Sequence, residues 1–133
     1  MKVLVTGGTG FIGSNLVNKL VELDYQVEVI DNNLSDVGKI NKKANYHQYD
    51  LSDVNNLNQV SRILNSVDSV FHLAAKARVQ PSIDDPVGYE LNNTLSTVNI
   101  LKACVDSDVR RFVYSSSSSV YGDNDNMPLK ENF

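Results

Sequence analysis

The chain has 133 residues, 41% apolar and 21% charged, with a formal net charge of −4. That length suffices for one domain with its own core and leaves little for a second, so a single domain over residues 1–133 is expected. No apolar run approaches the roughly 20 residues that cross a bilayer, which argues against a membrane partner. The basic residues are scattered, with mere pairs at Lys42-Lys43 and Arg110-Arg111, which argues against nucleic acid, whose phosphates draw clustered Lys and Arg.

The chain opens on a short apolar strand, Lys2-Val3-Leu4-Val5, too short in its apolar part for a secretion signal. The single cysteine, Cys104, fits a reducing compartment, and the expected location is the cytoplasm. The strand runs into Thr6-Gly7-Gly8-Thr9-Gly10-Phe11-Ile12-Gly13. Gly8, Gly10 and Gly13 satisfy G-x-G-x-x-G, while Gly7, Gly10 and Gly13 satisfy G-x-x-G-x-x-G. Either spacing turns a strand sharply into a helix with no side chain in the way, so that a pyrophosphate can lie against backbone N–H groups and the positive helix end. Placement after a strand and before a helical pattern gives the motif its weight.

Ile12, Leu16, Leu20 and Leu23 then recur at helical spacing, with Val17 and Val21 widening the stripe, and Asp24-Tyr25 closes the helix. Gln26–Asp31 alternates into a second strand that ends on a carboxylate. Residues 32–44 read as a loop and 45–49 as a third strand. Ser52 is expected to cap a helix, with Asp53 in its first turn and Val54, Leu57, Val60 and Leu64 on its buried face. The apolar run 69–75 lacks helical spacing and reads as a fourth strand buried on both faces. Asp85-Pro86 starts a long helix, with Pro86 at its first position and Val87, Leu91, Leu95, Val98, Leu101 and Val105 along its stripe. Residues 111–115 form the fifth strand and 116–133 a polar tail. Strands alternating with helices call for an α/β, doubly wound parallel sheet of order 3-2-1-4-5, with ligand at the carboxyl ends of the first and fourth strands.

Asp31 stands 18 residues beyond Gly13, where a carboxylate can accept hydrogen bonds from both hydroxyls of an adenosine ribose. No Arg or Lys occurs from Asn32 to Val37 to neutralise a 2′-phosphate, so NAD is expected over NADP. His72, at the end of a buried strand, reads as a satisfied core residue before it reads as a base. His47 is too far along the chain to make a recognisable metal pair with it, and no metal site is expected. Cys104 lies beside Val105 on the helix stripe, where burial is the simpler reading.

The glycine turn, the Asp31-Asn32 pair, Asp50-Leu51, His72-Leu73-Ala74-Ala75 and the segment Ser115 to Gly122 together resemble the extended short-chain dehydrogenase/reductases, specifically the NAD-dependent nucleotide-sugar epimerases and dehydratases. Five motifs in order, covering nearly all of the chain, carry that resemblance. It implies a cofactor site of Gly7, Gly10, Phe11, Ile12 and Gly13 with Asp31 and Asn32. Asp50 and Leu51 would lie at the adenine, and Ala74, Ala75 and Lys76 at the nicotinamide ribose and phosphates, with Asn93 and Ser115 also near the cofactor. It places the catalytic hydroxyl on Ser117, hydrogen-bonded to the sugar hydroxyl being oxidised. Dehydratases of the family carry Asp and Glu in the next two positions, here Ser118 and Ser119, so a 4-epimerase is favoured over a dehydratase.

Two positions depart from the family pattern. A glycine usual before the second strand is Asp24, which can adopt the left-handed conformation needed there. The family's Tyr-x-x-x-Lys pair, whose tyrosinate takes the substrate proton, has no match among the 133 residues. The resemblance therefore implies the amino-terminal, NAD-binding part of a nucleotide-sugar 4-epimerase, inactive alone, with the sugar-binding lobe absent. A homodimer through the fourth helix and a nucleoside-diphosphate sugar are the partners it implies for a complete protein. The competing readings are a non-catalytic dinucleotide-binding module and a fragment of a dehydratase.

Overall fold

The computed structural model describes residues 1–34, 40–123 and 128–131. Five strands, β1 (Lys2–Thr6), β2 (Gln26–Asp31), β3 (Asn45–Gln48), β4 (Ser69–His72) and β5 (Arg111–Tyr114), form one parallel sheet of order β3-β2-β1-β4-β5. This is the doubly wound order expected from the sequence. Helix α1 (Phe11–Glu22) joins β1 to β2, and α2 (Leu57–Leu64) joins β3 to β4. Between β4 and β5 lie α3 (Val79–Asp84), α4 (Pro86–Glu90), a π turn (Leu91–Leu95) and α5 (Ser96–Asp106).

Alternation along the strands divides the core between the two faces of the sheet. Leu4, Ile30 and Val70 pack with Val60, Leu64 and Ile100 of α2 and α5. Val3, Val5, Val27 and Val29 pack with Val17 and Leu20 of α1. The register sets Thr6 beside Ile30 on one side and His72 on the other, with Tyr114 beside His72. The carboxyl ends of four strands thus finish level, which is what positions the site.

Asp24 adopts φ +58°, as expected of a residue replacing glycine at that helix end, and its N–H bonds back to the Val21 carbonyl at 3.1 Å. Several local expectations are corrected. In α1 the inner stripe is Val17 and Leu20, while Ile12 and Leu23 are exposed. The cap before α2 is Asp53, whose carboxylate accepts from the Asn55 N–H at 2.9 Å. Ser52 instead bonds the Asp50 carboxylate through both its N–H and its hydroxyl, and Val54 is exposed. The fourth strand stops at His72 because Leu73 and Ala74 turn their amides onto Thr6.

The long helix is in fact α4, the π turn and α5 in series, preceded by the unexpected α3. Asp85 does cap it, accepting from the Gly88 N–H at 3.0 Å, with Pro86 in the first turn. The residues of α5 that face the sheet are Ser96, Asn99, Ile100, Ala103 and Cys104, so the larger apolar set Val87, Leu91, Val98, Leu101 and Val105 points outward and is exposed. This helix has two apolar sides, and spacing alone picked the bulkier one.

Candidate dinucleotide site

Two of the glycines are required by geometry. Gly7 sits at φ +69°, and a Cβ on it would lie 2.8 Å from the Ala74 nitrogen. A Cβ on Gly13 would lie 2.1 Å from the Gly7 carbonyl oxygen and 2.8 Å from Gly8 Cα, so the helix could not approach the turn. With Gly10 as N-cap and no side-chain cap or acidic residue in the first turn of α1, the positive helix end is left for an anion.

The cleft above this turn encloses about 340 Å³, within the range of small-molecule sites. Its walls bring together Gly7, Gly10, Asp31, Asn32, Asp50, Leu51, Ala74, Ala75 and Lys76 from across the chain. Asp31 ties two walls together: one carboxylate oxygen accepts from the Thr9 N–H and the other from the Asn33 N–H, each at 3.0 Å. The Thr9 hydroxyl donates to the Asn33 carbonyl at 3.0 Å. A carboxylate offers about four acceptor directions, so Asp31 retains capacity for ribose hydroxyls. Asp50 braces its own turn through Ser52. The buried Leu51 is fixed from α5, where the buried Asn99 side chain donates to the Leu51 carbonyl at 2.8 Å.

A second cleft, joined to the first at Lys76, is lined by Arg78, Tyr89, Glu90, Asn93, Thr94 and Ser117 among others. The Lys76 ammonium lies 3.8 Å from the Asp85 carboxylate and 5.5 Å from the centre of the Tyr89 ring. Asn93 does not line the first cleft; its side chain pairs with the backbone of Lys76, accepting from the N–H at 2.8 Å and donating to the carbonyl at 3.0 Å. Ser117 is exposed, accepts from the Ser119 N–H at 3.1 Å and donates to the Ser119 hydroxyl at 3.0 Å. Ser115 hangs from the end of the sheet, its N–H donating to the His72 carbonyl at 3.1 Å. Phe11 and Ile12 occupy the first turn of α1 with exposed side chains.

Sequence reasoning did not single out Thr6, Thr9, Tyr49, Asn92, Ser96, Thr97 or Asn99. Polar residues between apolar ones on a helix, as Ser96, Thr97 and Asn99 are, were the available signal. His72 is buried as expected, and burial pushes its pKa down to about 4. Burial likewise pushes the Cys104 thiol up to about 11, which leaves it a poor nucleophile.

The fold and cleft define a doubly wound α/β domain with a pocket at the carboxyl ends of its strands, and the comparisons with known proteins specify its family. A family model described as "NAD dependent epimerase/dehydratase family" matches residues 3–133, and the chain belongs to that family. It is 37% identical over 132 residues to a putative UDP-glucose 4-epimerase of Methanocaldococcus jannaschii, covering 98% of this chain and 43% of that one. Among solved structures, a UDP-N-acetylglucosamine 4-epimerase from Methanobrevibacter ruminantium in complex with UDP-N-acetylmuramic acid is 40% identical with a TM-score of 0.86, covering 98% of this chain and 42% of that one. A Thermus thermophilus UDP-glucose 4-epimerase in complex with NAD is 34% identical with a TM-score of 0.87, covering 99% and 43%. The chain thus spans about two fifths of the length of the relatives it matches.

Proposed function

We propose that residues 1–133 form the NAD-binding unit of a nucleotide-sugar 4-epimerase whose sugar-binding lobe lies outside these residues. The observation that carries this reading is the convergence of the glycine turn, Asp31, Asp50-Leu51 and Ala74–Lys76 on one cleft. The residues fit a dinucleotide: a cradle that a Cβ at Gly7 or Gly13 would fill, an uncapped helix start for the pyrophosphate, and a carboxylate at the end of β2 for ribose hydroxyls. When bound, NAD supplies a reversible acceptor for the hydride of sugar C4. The backbone of the 7–13 turn holds the phosphates, Asp31 orients the adenosine ribose and disfavours a 2′-phosphate, and Lys76 offers its charge where the two clefts meet. Ser117 places its hydroxyl at the second cleft, where it would hydrogen-bond the sugar hydroxyl. No Tyr-x-x-x-Lys occurs among these residues, so this reading assigns no proton acceptor for that hydroxyl within them.

Calorimetric titration tests the reading. NAD should bind and NADP should bind at least about tenfold more weakly, roughly the value of one lost charge-assisted contact, and Asp31→Ala should remove the preference. Equal affinity for the two cofactors, or indifference to Asp31→Ala, would overturn the assignment. The purified chain should give no epimerisation of a nucleoside-diphosphate hexose, since loss of general-base help alone costs roughly 10²- to 10⁴-fold.

The fold-family alternative of a binding-only module predicts the same cofactor affinity but no Ser117-dependent turnover when the chain is joined to a sugar-binding lobe from a related epimerase. For self-association, the exposed set Val98, Leu101 and Val105 on α5 is the face a second copy would cover. Sedimentation should show dimers that Leu101→Asp dissociates.

A further inference from the structure

Residues 73–76 cross from the first cleft to the second, and Lys76 lines both. One chain of hydrogen bonds holds this segment at its two ends, and it passes through the buried ring of His72. At the near end the Thr6 hydroxyl oxygen accepts from the Ala74 N–H at 3.2 Å and shares the Leu73 N–H, also at 3.2 Å, with the Thr6 carbonyl. With those amides on its oxygen, the hydroxyl is placed to direct its proton to His72 Nδ1, 2.7 Å away. At the far end the Thr97 hydroxyl donates to the Asn93 carbonyl at 2.6 Å, so its oxygen accepts from His72 Nε2, 2.9 Å away. The far end requires the proton on Nε2, and the near end suits the lone pair that this leaves on Nδ1.

The far end continues to the loop itself, because the Asn93 side chain pairs with both backbone groups of Lys76. Asn93 lies in the π turn, and the Asn92 and Asn93 carbonyls accept from the Ser96 and Thr97 hydroxyls, a local departure from α-helix of the kind that gathers at functional sites. His72 is 1% exposed, with the Phe112 and Tyr114 rings 5.7 and 5.8 Å from its own. Its proton affinity, lowered by burial, suits a ring that must stay neutral. An imidazolium would aim Nδ1–H at a Thr6 oxygen that already accepts from two amides.

We propose that His72, as the Nε2–H tautomer, is the positioning residue of the 73–76 loop, linking the Thr6 hydroxyl that holds its first two amides to the Thr97–Asn93 arm that holds Lys76. Its consequence for cofactor binding rests on the NAD reading above, in which this loop meets the nicotinamide half of the dinucleotide. His72→Phe removes both ring bonds, and Thr97→Val, which leaves the ring in place, guards against misfolding of the first variant. Three measurements on the 133-residue chain decide the matter: nitrogen-15 shifts of the His72 ring, amide hydrogen exchange at Lys76, and calorimetric binding of NAD and of ADP, which lacks the nicotinamide ribose.

The ring should show the Nε2–H signature at neutral pH. Thr97→Val should speed exchange at Lys76 and weaken NAD binding about tenfold, the size expected for one lost buried hydrogen bond, while leaving ADP affinity within about twofold. An Nδ1–H ring, unaltered Lys76 exchange, or equal loss for NAD and ADP would each overturn the proposal. If the unaltered chain binds neither nucleotide, the NAD reading fails by itself, and the ring tautomer with Lys76 exchange decides the role of His72 in the loop.

Discussion

The two clefts are built in opposite ways. Around the first, polar groups are buried and paired: Thr6, His72 and Asn99 are each under 8% exposed and each is hydrogen-bonded. Around the second, Ser117 and Arg78 are exposed, and the Ser117 hydroxyl pairs with Ser119, two residues on. Where the dinucleotide would lie, site and fold are one structure, so a lost contact costs stability as well as binding. Where the sugar would lie, function rests on groups the fold does not need, and stability and activity should come apart there.

The largest effect is expected at Gly13. An added Cβ meets three backbone atoms, the Gly7 oxygen at 2.1 Å, Gly8 Cα at 2.8 Å and the Gly7 carbonyl carbon at 2.9 Å, and none can move without opening the turn. Gly13→Ala should destabilise the chain by about 3 kcal/mol or more, the upper end for overpacking, and abolish NAD binding. Urea unfolding with calorimetry checks both, and a stable Gly13→Ala chain that still binds would break the link between fold and first cleft.

Next comes Glu28, a buried carboxylate on β2 beside the first-cleft strands. It receives the Lys2 ammonium at 3.1 Å, His47 at 2.7 Å and the Asn45 amide at 3.2 Å. Burial raises its pKa, but the bonds from His47, Asn45 and Lys2 outweigh that and hold it below its ordinary 4.5. A carboxyl depressed in the folded state stabilises above its unfolded value, and that stability is lost as pH falls through the folded one. Glu28→Ala should cost about 2 kcal/mol near neutral pH, less than a fully buried pair because Lys2 and His47 are partly exposed. The difference from the unaltered chain should shrink as pH falls from about 4.5. A gap that stays constant down to pH 3 would deny the ionised cluster its part.

What could be read from the sequence was what is encoded within a few residues. The glycine turn, the Asp31 strand end, the left-handed Asp24 and the strand order all follow from local pattern and chain order. What escaped depended on groups distant in sequence. β4 ends at His72 because Thr6, 66 residues earlier, takes the next amides. Ser52 yielded the cap to Asp53 because Asp50 took its hydroxyl. The π turn is visible only once Asn93 meets Lys76.

A smaller effect is expected at Asn99, which joins the Leu51 wall of the first cleft to α5. Asn99→Ala leaves the Leu51 carbonyl without its 2.8 Å partner and should cost about 1–2 kcal/mol, with a matching loss in affinity for adenine nucleotides. Loss of stability with full affinity for ADP would show that this contact serves the core alone.

The smallest effect belongs to Ser117, and it sharpens the comparison most. Its hydroxyl oxygen caps a single short turn at the Ser119 N–H, and its chain neighbours 115–120 are exposed. Removing an exposed cap of this kind costs at most about 0.5–1 kcal/mol, and water can satisfy the freed N–H, so Ser117→Ala should leave the unfolding midpoint and NAD affinity of the 133-residue chain almost unchanged. The same substitution in the chain joined to a related sugar-binding lobe should abolish most epimerisation, because the hydroxyl then faces substrate. Urea unfolding, NAD titration and turnover of that chimera together read the outcome. If Ser117→Ala unfolds the isolated chain, or if the chimera is indifferent to it, the second cleft is not the separable catalytic surface that its exposure indicates.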